Sequence, residues 1–149
     1  MKKFDLIVVG GGLTGIAASV CAARGGMSVL LCEQGGALGG AMVNCLVLPF
    51  MRYFEKHPET GEISYLSDGF FRELRQRYQK HATDLGELRY ANHATGFNQE
   101  IYKLVFDEVV RESGVELLFH AMLCGVEFEE RKIKSARFAT NAGLIDFEA

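Results

Sequence analysis

The sequence predicts an α/β protein in which a parallel βαβ sheet is followed by an antiparallel β-meander. Near the N-terminus, a β-branched run, a glycine-rich turn and a helical stretch lead to a second apolar run. This succession fits within the roughly 30 residues of a βαβ unit with a right-handed crossover. Near the C-terminus, three segments alternate apolar and polar residues, as antiparallel strands with one solvated face do. The 149 residues suffice for one domain with a sizeable core.

The βαβ unit is predicted from residue types. Residues 4–9 are rich in β-branched side chains and end at glycines, which predicts a fully buried parallel strand. Residues 13–24 hold small and apolar side chains at nearly every position, and a glycine pair follows, which predicts a helix with a glycine stop. Residues 28–32 form a second buried strand, which Glu33 closes.

The middle of the chain carries weaker patterns. Four glycines mark a loop over residues 34–40, and HPETG at 57–61 predicts a surface turn. Asp68 is expected to cap a helix over 69–81. The basic residues of this helix are expected to form a solvated face; they are Arg72, Arg75, Arg77 and Lys80.

A further helix is predicted after Asn98, which is a plausible cap. Apolar residues recur at helical period in Ile101, Leu104, Val105 and Val109, and Ser113-Gly114 end the pattern. The segment between the two helices, residues 82–97, receives no assignment.

After Gly114 the period changes from helical to strand-like. Residues 115–119 predict a third buried strand that arrives directly from a helix. Residues 123–129, 132–140 and 143–147 predict the meander, which occupies about 121–148.

Composition excludes several functions. A net charge of -3 gives no basic footprint, so nucleic acid is not an expected partner. No segment approaches the ~20 consecutive apolar residues that span a bilayer.

Lys2 and Lys3 precede an apolar stretch as in a signal peptide, but Asp5 and three consecutive glycines oppose that interpretation. The four cysteines form no C-x-x-C pair and no metal-ligand spacing, which favours reduced thiols in a cytoplasmic protein.

The glycine turn carries the chemistry. Gly10-x-Gly12-x-x-Gly15 follows a predicted strand and opens a helix. Gly10 lets the chain leave the strand in a tight turn, Gly12 lets the backbone approach a pyrophosphate, and Gly15 lets the helix sit close to the strands. Gly11 lies within the turn.

The anion and the ribose have separate partners in this prediction. Free amides at Leu13 and Thr14 face the pyrophosphate with the helix dipole behind them. Glu33 accepts hydrogen bonds from both ribose hydroxyls, and its charge disfavours a 2′-phosphate. Gln34, the next residue, is also predicted to bind the cofactor. Two alternatives stay open: a turn without a ligand, and Glu33 as a solvated charge at a strand end.

Beyond Glu33, the sequence resembles the glutathione-reductase-type FAD superfamily, in which a loop with a glycine pair follows the ribose acid. Gly39 and Gly40 match that pair, and the meander after the third strand matches the order of elements. The resemblance implies a Rossmann-like FAD/NAD(P)-binding fold and FAD as the cofactor. It also implies contact of Gly39 and Gly40 with the pyrophosphate and ribityl region, and of the Leu123 backbone with the adenine.

The dithiol branch of that superfamily places two redox cysteines after the glycine pair. Asn44 and Pro49 match its pattern, but Met42 and Val47 stand at the cysteine positions, so thiol–disulfide exchange is excluded. Cys45 is interpreted as a packing residue.

The chain more closely resembles FAD-dependent oxidoreductases without the dithiol. In that group a further strand and a substrate domain follow the meander, so we expect an N-terminal fragment of a longer flavoprotein. We expect this fragment to be inactive alone and to retain flavin weakly or not at all. Catalytic residues and the small-molecule substrate stay unassigned, and a truncated sheet edge favours self-association. The histidines are expected at ordinary surface positions; they are His57, His81, His93 and His120. The alternatives are an NAD-binding dehydrogenase domain and a remnant that binds no cofactor.

Overall fold

The computed structural model describes residues 1–45, 47, 49–66, 68–86 and 96–149. The chain divides into two compact units, one made of Met1–Gly40 with Phe106–Ala149 and the other of Ala41–Val105. In chain order the elements are β1 (Lys2–Lys3), β2 (Leu6–Val9), α1 (Leu13–Arg24), β3 (Val29–Cys32), α2 (Ala41–Asn44), β4 (Phe54–Lys56), β5 (Ile63–Tyr65), α3 (Phe70–Asp84), α4 (Gln99–Glu112), β6 (Glu116–Leu118), β7 (Met122–Glu129), β8 (Lys132–Thr140) and β9 (Gly143–Glu148).

The first unit contains the predicted parallel sheet. Its strand order is β2-β3-β6, and both pairings are parallel. All four residues of β3 are buried because the strand is paired on both sides. The prediction of a fully buried first strand is wrong, since β2 lies at the sheet edge and Val9 is 50% exposed.

The predicted helix between these strands is confirmed at both ends. α1 runs over Leu13–Arg24, and Gly25 caps it by donating its N–H to the carbonyl oxygen of Cys21 at 3.0 Å. Gly26 follows with φ +92°, a conformation that glycine adopts without a steric penalty.

The meander is confirmed with almost the predicted bounds. β7, β8 and β9 pair antiparallel in succession, and the turn between β7 and β8 places Glu130 at φ +56°. The resulting sheet has the order β1-β9-β8-β7. The parallel pairing of β1 with β9, Lys2 opposite Phe147, was not predicted, because two lysines carry no strand pattern.

The core of the first unit lies between the parallel sheet and the meander. Apolar side chains from both sheets meet there: Phe4, Leu30, Cys32, Ala121, Ala136, Phe138 and Phe147. The rings of Phe4 and Phe138 each pack edge-on against Phe147, at centroid distances of 5.9 and 6.1 Å. This core fixes the carboxyl ends of β2 and β3, where the chain turns into the glycine-rich loops.

The second unit corrects two predictions about α3. Its N-cap is Gly69 and has no side-chain cap among the described residues, while Asp68 pairs with Arg72 at 2.5 Å. Arg75 is buried, although its helix position predicted a solvated side chain. Its Nη1 donates to the Tyr53 hydroxyl and its Nη2 to the Tyr65 hydroxyl, each at 3.0 Å.

The cap of α4 is confirmed, because the Glu100 N–H donates to Asn98 Oδ1 at 2.9 Å. Ile101, Val105 and Val109 are buried as their period predicts, whereas Leu104 is 49% exposed. The predicted turn over 57–61 joins β4 and β5 in an antiparallel hairpin. Residues 87–95, including His93, lie outside the described residues.

Within the described part of the chain, no helix combines the length and the hydropathy needed to cross a bilayer.

Candidate functional site

The glycine turn lies between β2 and α1, at the carboxyl end of the parallel sheet. Gly10 takes φ +101°, which side-chain-bearing residues rarely adopt, while its N–H still donates to the Cys32 carbonyl oxygen at 2.8 Å. The turn therefore begins while the chain is still bonded to β3. This is the tight exit from the strand that the sequence predicted.

Gly15 brings α1 against the turn. A Cβ built on Gly15 would stand far inside van der Waals distance of the Gly10 carbonyl oxygen, and 3.5 Å from Val8 Cγ1. The helix therefore approaches the end of β2 more closely than any side chain would permit, as predicted for the third glycine of the motif.

Gly12 and Gly40 bring two loops together backbone to backbone. Gly40 has φ +54°, and a Cβ on it would lie 3.0 Å from Gly12 Cα. Gly39, at φ +112°, donates its N–H to the Gly11 carbonyl oxygen at 2.8 Å. The glycine pair that the resemblance singled out therefore lies against the glycine turn.

The N-terminus of α1 has no internal anion or cap. Gly12 is the N-cap in an extended conformation, φ -72° and ψ 176°, and within this fully described helix it makes no side-chain cap bond and the first turn holds no acid. Leu13 and Thr14 are exposed. Free amides and the positive end of the helix dipole at this position suit an anion.

Glu33 lies directly after β3 and is only 8% exposed. Its Oε2 accepts the Gly11 N–H and its Oε1 accepts the Gly35 N–H, each at 2.6 Å. The alternative of a solvated charge is therefore wrong. The backbone of Glu33 is also fixed, since its N–H donates to Leu118 and its carbonyl oxygen accepts from Ala121.

A cavity of about 300 Å³ opens beside this carboxylate, within the first unit. It is lined by Val9, Gly10, Cys32, Glu33, Gln34, Ala121, Met122 and Leu123. Glu33, Gln34 and Leu123, each predicted to contact the cofactor, line this one cavity together. The apolar lining formed by Val9, Ala121 and Met122 was not predicted, because these residues are far apart in the sequence and carry no motif.

Cys32 lines the cavity, but its thiol is unreactive. Burial raises the pKa of its thiol to about 12, so the thiol is neutral at physiological pH and is not a nucleophile.

The remaining residues named in the sequence analysis have no chemical role assigned to them. In the second unit Met42 is buried and Val47 is exposed. Cys45 is also exposed, so the interpretation of Cys45 as a packing residue is wrong. His57 and His120 are exposed, as expected of surface histidines. In the described ranges no group of three or more His, Cys, Asp or Glu could hold a metal ion.

Solved structures share the fold of this chain at low sequence identity. A 3-ketosteroid-delta4-(5alpha)-dehydrogenase from Rhodococcus jostii has a TM-score of 0.62 and 14% identity, matching 99% of this chain and 44% of its own. A geranylgeranyl bacteriochlorophyll reductase-like protein from Thermoplasma acidophilum has a TM-score of 0.57 and 18% identity, over 100% and 38%. The myxobacterial chondrochloren halogenase, an FAD-dependent halogenase, has a TM-score of 0.57 and 18% identity, over 100% and 36%.

These identities establish a common fold, and the chain spans less than half of each of the three structures. No curated protein sequence matches the chain. A family model described as FAD dependent oxidoreductase matches residues 5–149, which takes in the glycine turn, Glu33 and the meander. By this match over nearly its whole length, the chain belongs to the family of FAD-dependent oxidoreductases.

Proposed function

We propose that the cavity beside Glu33 binds the adenosine of FAD and that the N-terminus of α1 binds its pyrophosphate. The observation that carries the proposal is the buried Glu33 carboxylate in a cavity of about 300 Å³ whose wall continues through Gly10 into the glycine turn. The flavin of FAD supplies the redox chemistry of such enzymes, while the protein supplies binding and orientation.

Glu33 retains the capacity to bind a ribose. A carboxylate offers about four lone-pair positions, and two of those of Glu33 are used by the amides of Gly11 and Gly35. The remaining ones accept the 2′- and 3′-hydroxyls. A 2′-phosphate would bring negative charge against a buried carboxylate, so the site selects against phosphorylated ribose.

The pyrophosphate has a matching surface on the glycine loops. A Cβ on Gly12 would meet no described atom nearer than Gly40 Cα at 4.0 Å, so the space over this residue is open. Gly40 borders this space, and we assign the amides of Leu13 and Thr14, in the first turn of α1, to the phosphates there. A side chain at Gly12 would occupy the place that the phosphates need.

The adenine is assigned to the apolar end of the cavity. Val9, Ala121 and Met122 give the cavity an apolar lining, and we assign the backbone of Leu123, which also lines it, to the polar edge of the purine. The apolar lining supports this placement, since adenine is the least polar part of the nucleotide, and the contact with Leu123 is the one that the family resemblance implies.

The activity is proposed from family membership as an oxidoreduction of a small molecule. The described cysteines are all unpaired, which supports a reducing compartment, the cytoplasm.

Isothermal titration of the 149-residue chain tests the nucleotide assignment. We expect ADP and FAD to bind. We expect adenosine 2′,5′-bisphosphate to bind at least ~10-fold more weakly than AMP, which carries the same 5′-phosphate; ~1.4 kcal/mol gives this factor. Tight NADH binding without FAD binding would instead identify an NAD domain. Unchanged thermal stability in saturating FAD, ADP and NAD would identify a remnant without cofactor, because a ligand of the native state raises stability.

A further inference from the structure

We infer that Glu33 is also a positioning residue for the pyrophosphate, because its carboxylate holds together the two loops that form the phosphate site. Loss of the carboxylate then weakens phosphate binding even when the ligand has no ribose hydroxyls. The inference rests on the proposed function, since it concerns the same nucleotide site.

The two amides that bind Glu33 belong to different loops. Gly11 lies in the turn between β2 and α1, whereas Gly35 lies in the loop over residues 34–40 that follows β3. Each carboxylate oxygen therefore binds one loop. The Gly39 N–H adds a second connection between the same loops by donating to the Gly11 carbonyl oxygen at 2.8 Å.

Packing over the carboxylate makes these bonds strong. Leu38 is fully buried, and a Cβ on Gly11 would lie 2.6 Å from Leu38 Cδ2 and 3.1 Å from Glu33 Oε2. Gly11 is therefore packed closely against both Leu38 and the carboxylate of Glu33, a residue that is only 8% exposed. Hydrogen bonds from amides to a buried carboxylate are stronger than neutral ones, and an amide left without its acceptor there is costly.

The direction in which phosphate affinity changes when the Glu33 charge is removed distinguishes a positioning role from a ribose contact alone. A carboxylate near a pyrophosphate repels it, so removing the charge of a bystander would leave phosphate affinity unchanged or strengthen it. If Glu33 instead keeps the loops in the binding geometry, removing the charge lowers the fraction of competent protein. The apparent affinity then falls by the same fraction.

Glu33→Gln is the decisive variant because it keeps the size of the side chain. Its NH₂ group must face either Gly11 or Gly35, so one of the two amides loses its acceptor. We expect the Kd for 2′,3′-dideoxy-ADP, which lacks the ribose hydroxyls, to weaken about tenfold, the effect of one charge-assisted hydrogen bond. Glu129→Gln makes the same charge change at an exposed position on β7 and should leave this Kd unchanged.

The outcomes distinguish the inference from the proposed function. If wild-type protein fails to bind ADP, the proposed function is wrong. If wild-type protein binds, and Glu33→Gln weakens ADP but leaves dideoxy-ADP unchanged or tighter, Glu33 acts on the ribose alone and the inference is wrong.

Amide hydrogen exchange of the wild-type chain, followed by NMR, tests the inference without a variant. The Gly11 and Gly35 amides should exchange slowly in the ligand-free protein, although both lie in loops, because the carboxylate binds them. Exchange of either amide at the rate of an unprotected peptide would overturn the inference, whether or not Glu33→Gln folds.

Discussion

Gly15 and Gly10 are in backbone contact across the first turn of α1. A Cβ built on Gly15 would overlap the Gly10 carbonyl oxygen and come within 3.1 Å of the Gly10 carbonyl carbon. Unlike the end of a flexible side chain, a backbone carbonyl at the end of a paired strand cannot move aside cheaply. This contact sets the distance between α1 and the parallel sheet.

The first prediction follows from that contact. Gly15→Ala should lower the free energy of unfolding by about 1–3 kcal/mol or more, the usual cost of forcing atoms into a packed region. Urea unfolding measures it. Gly125→Ala is the matched control, since its Cβ would meet Arg137 Cβ at an ordinary 3.6 Å. A Gly15→Ala protein as stable as the control would contradict the packing of α1 described above.

A second prediction separates binding from folding in the same motif. Gly12 has a φ of -72°, which any residue adopts, and its Cβ would meet only open space. Gly12→Ala should therefore unfold within about 0.5 kcal/mol of wild type, as for other surface changes. It should nevertheless lose most ADP affinity, because the methyl group occupies the phosphate position. Titration of Gly12→Ala with ADP measures the affinity, and urea unfolding of the same variant measures its stability. If the variant binds ADP as tightly as wild type, the phosphates bind elsewhere.

The third prediction concerns Arg75 in the second unit. Its guanidinium lies 5.2 Å from the Tyr53 ring centroid and 4.7 Å from that of Tyr65, and it bonds both hydroxyls. Arg75→Met keeps the apolar length but removes both hydrogen bonds and the cation–π contacts, so we expect a loss of about 2–3 kcal/mol in unfolding free energy.

Arg72→Met is the control for that measurement. Arg72 is exposed on the same helix and pairs with Asp68, an exposed pair whose loss costs about 0.5 kcal/mol or less. Equal stability of the two variants in thermal or urea unfolding would show that the tyrosines contribute nothing through Arg75.

The fourth prediction concerns the Cys32 thiol. Iodoacetamide at pH 8 should label Cys21, Cys45 and Cys124, which are exposed, and should label Cys32 only after denaturation. Mass spectrometry of the labelled peptides checks this. Rapid labelling of Cys32 in the native chain would contradict its burial at the floor of the cavity.

The same thiol makes the free energy of unfolding fall as pH rises in the alkaline range. Its pKa is raised from 9.0 when unfolded to about 12 when folded, so the folded state binds more protons between these values. The stabilising contribution is complete below pH 9 and is lost as pH rises toward 12. Cys32→Ala should flatten the wild-type decline of unfolding free energy in this window, and an unchanged slope would refute the assignment.

Local patterns predicted the elements that local chemistry determines. α1 and the strands of the meander were placed almost to the residue, because glycines end the helix and strict alternation marks the strands. β2 was expected to be buried on the evidence of its composition, yet composition does not reveal whether a strand has one neighbour or two. β1 escaped prediction entirely, since its strand character comes from β9.

The candidate site divides in the same way. Residue types identified Glu33 and the glycines, and the resemblance added Gly39, Gly40 and Leu123. The bonds from Gly11 and Gly35 to Glu33 were not predictable, because backbone amides are common to all residues. Arg75 was misplaced for a related reason: its tyrosine partners come from outside α3, and helical period reports only on α3 itself.

The first unit is assembled from two separate stretches of chain, and this affects its folding during synthesis. Met1–Gly40 leaves the ribosome first, but β3 has no second neighbour until β6 follows the whole of Ala41–Val105. At about 5–20 residues per second this delay lasts several seconds. During that time the nascent strand VLLC, buried on every residue in the finished fold, is open to solvent and to chaperones.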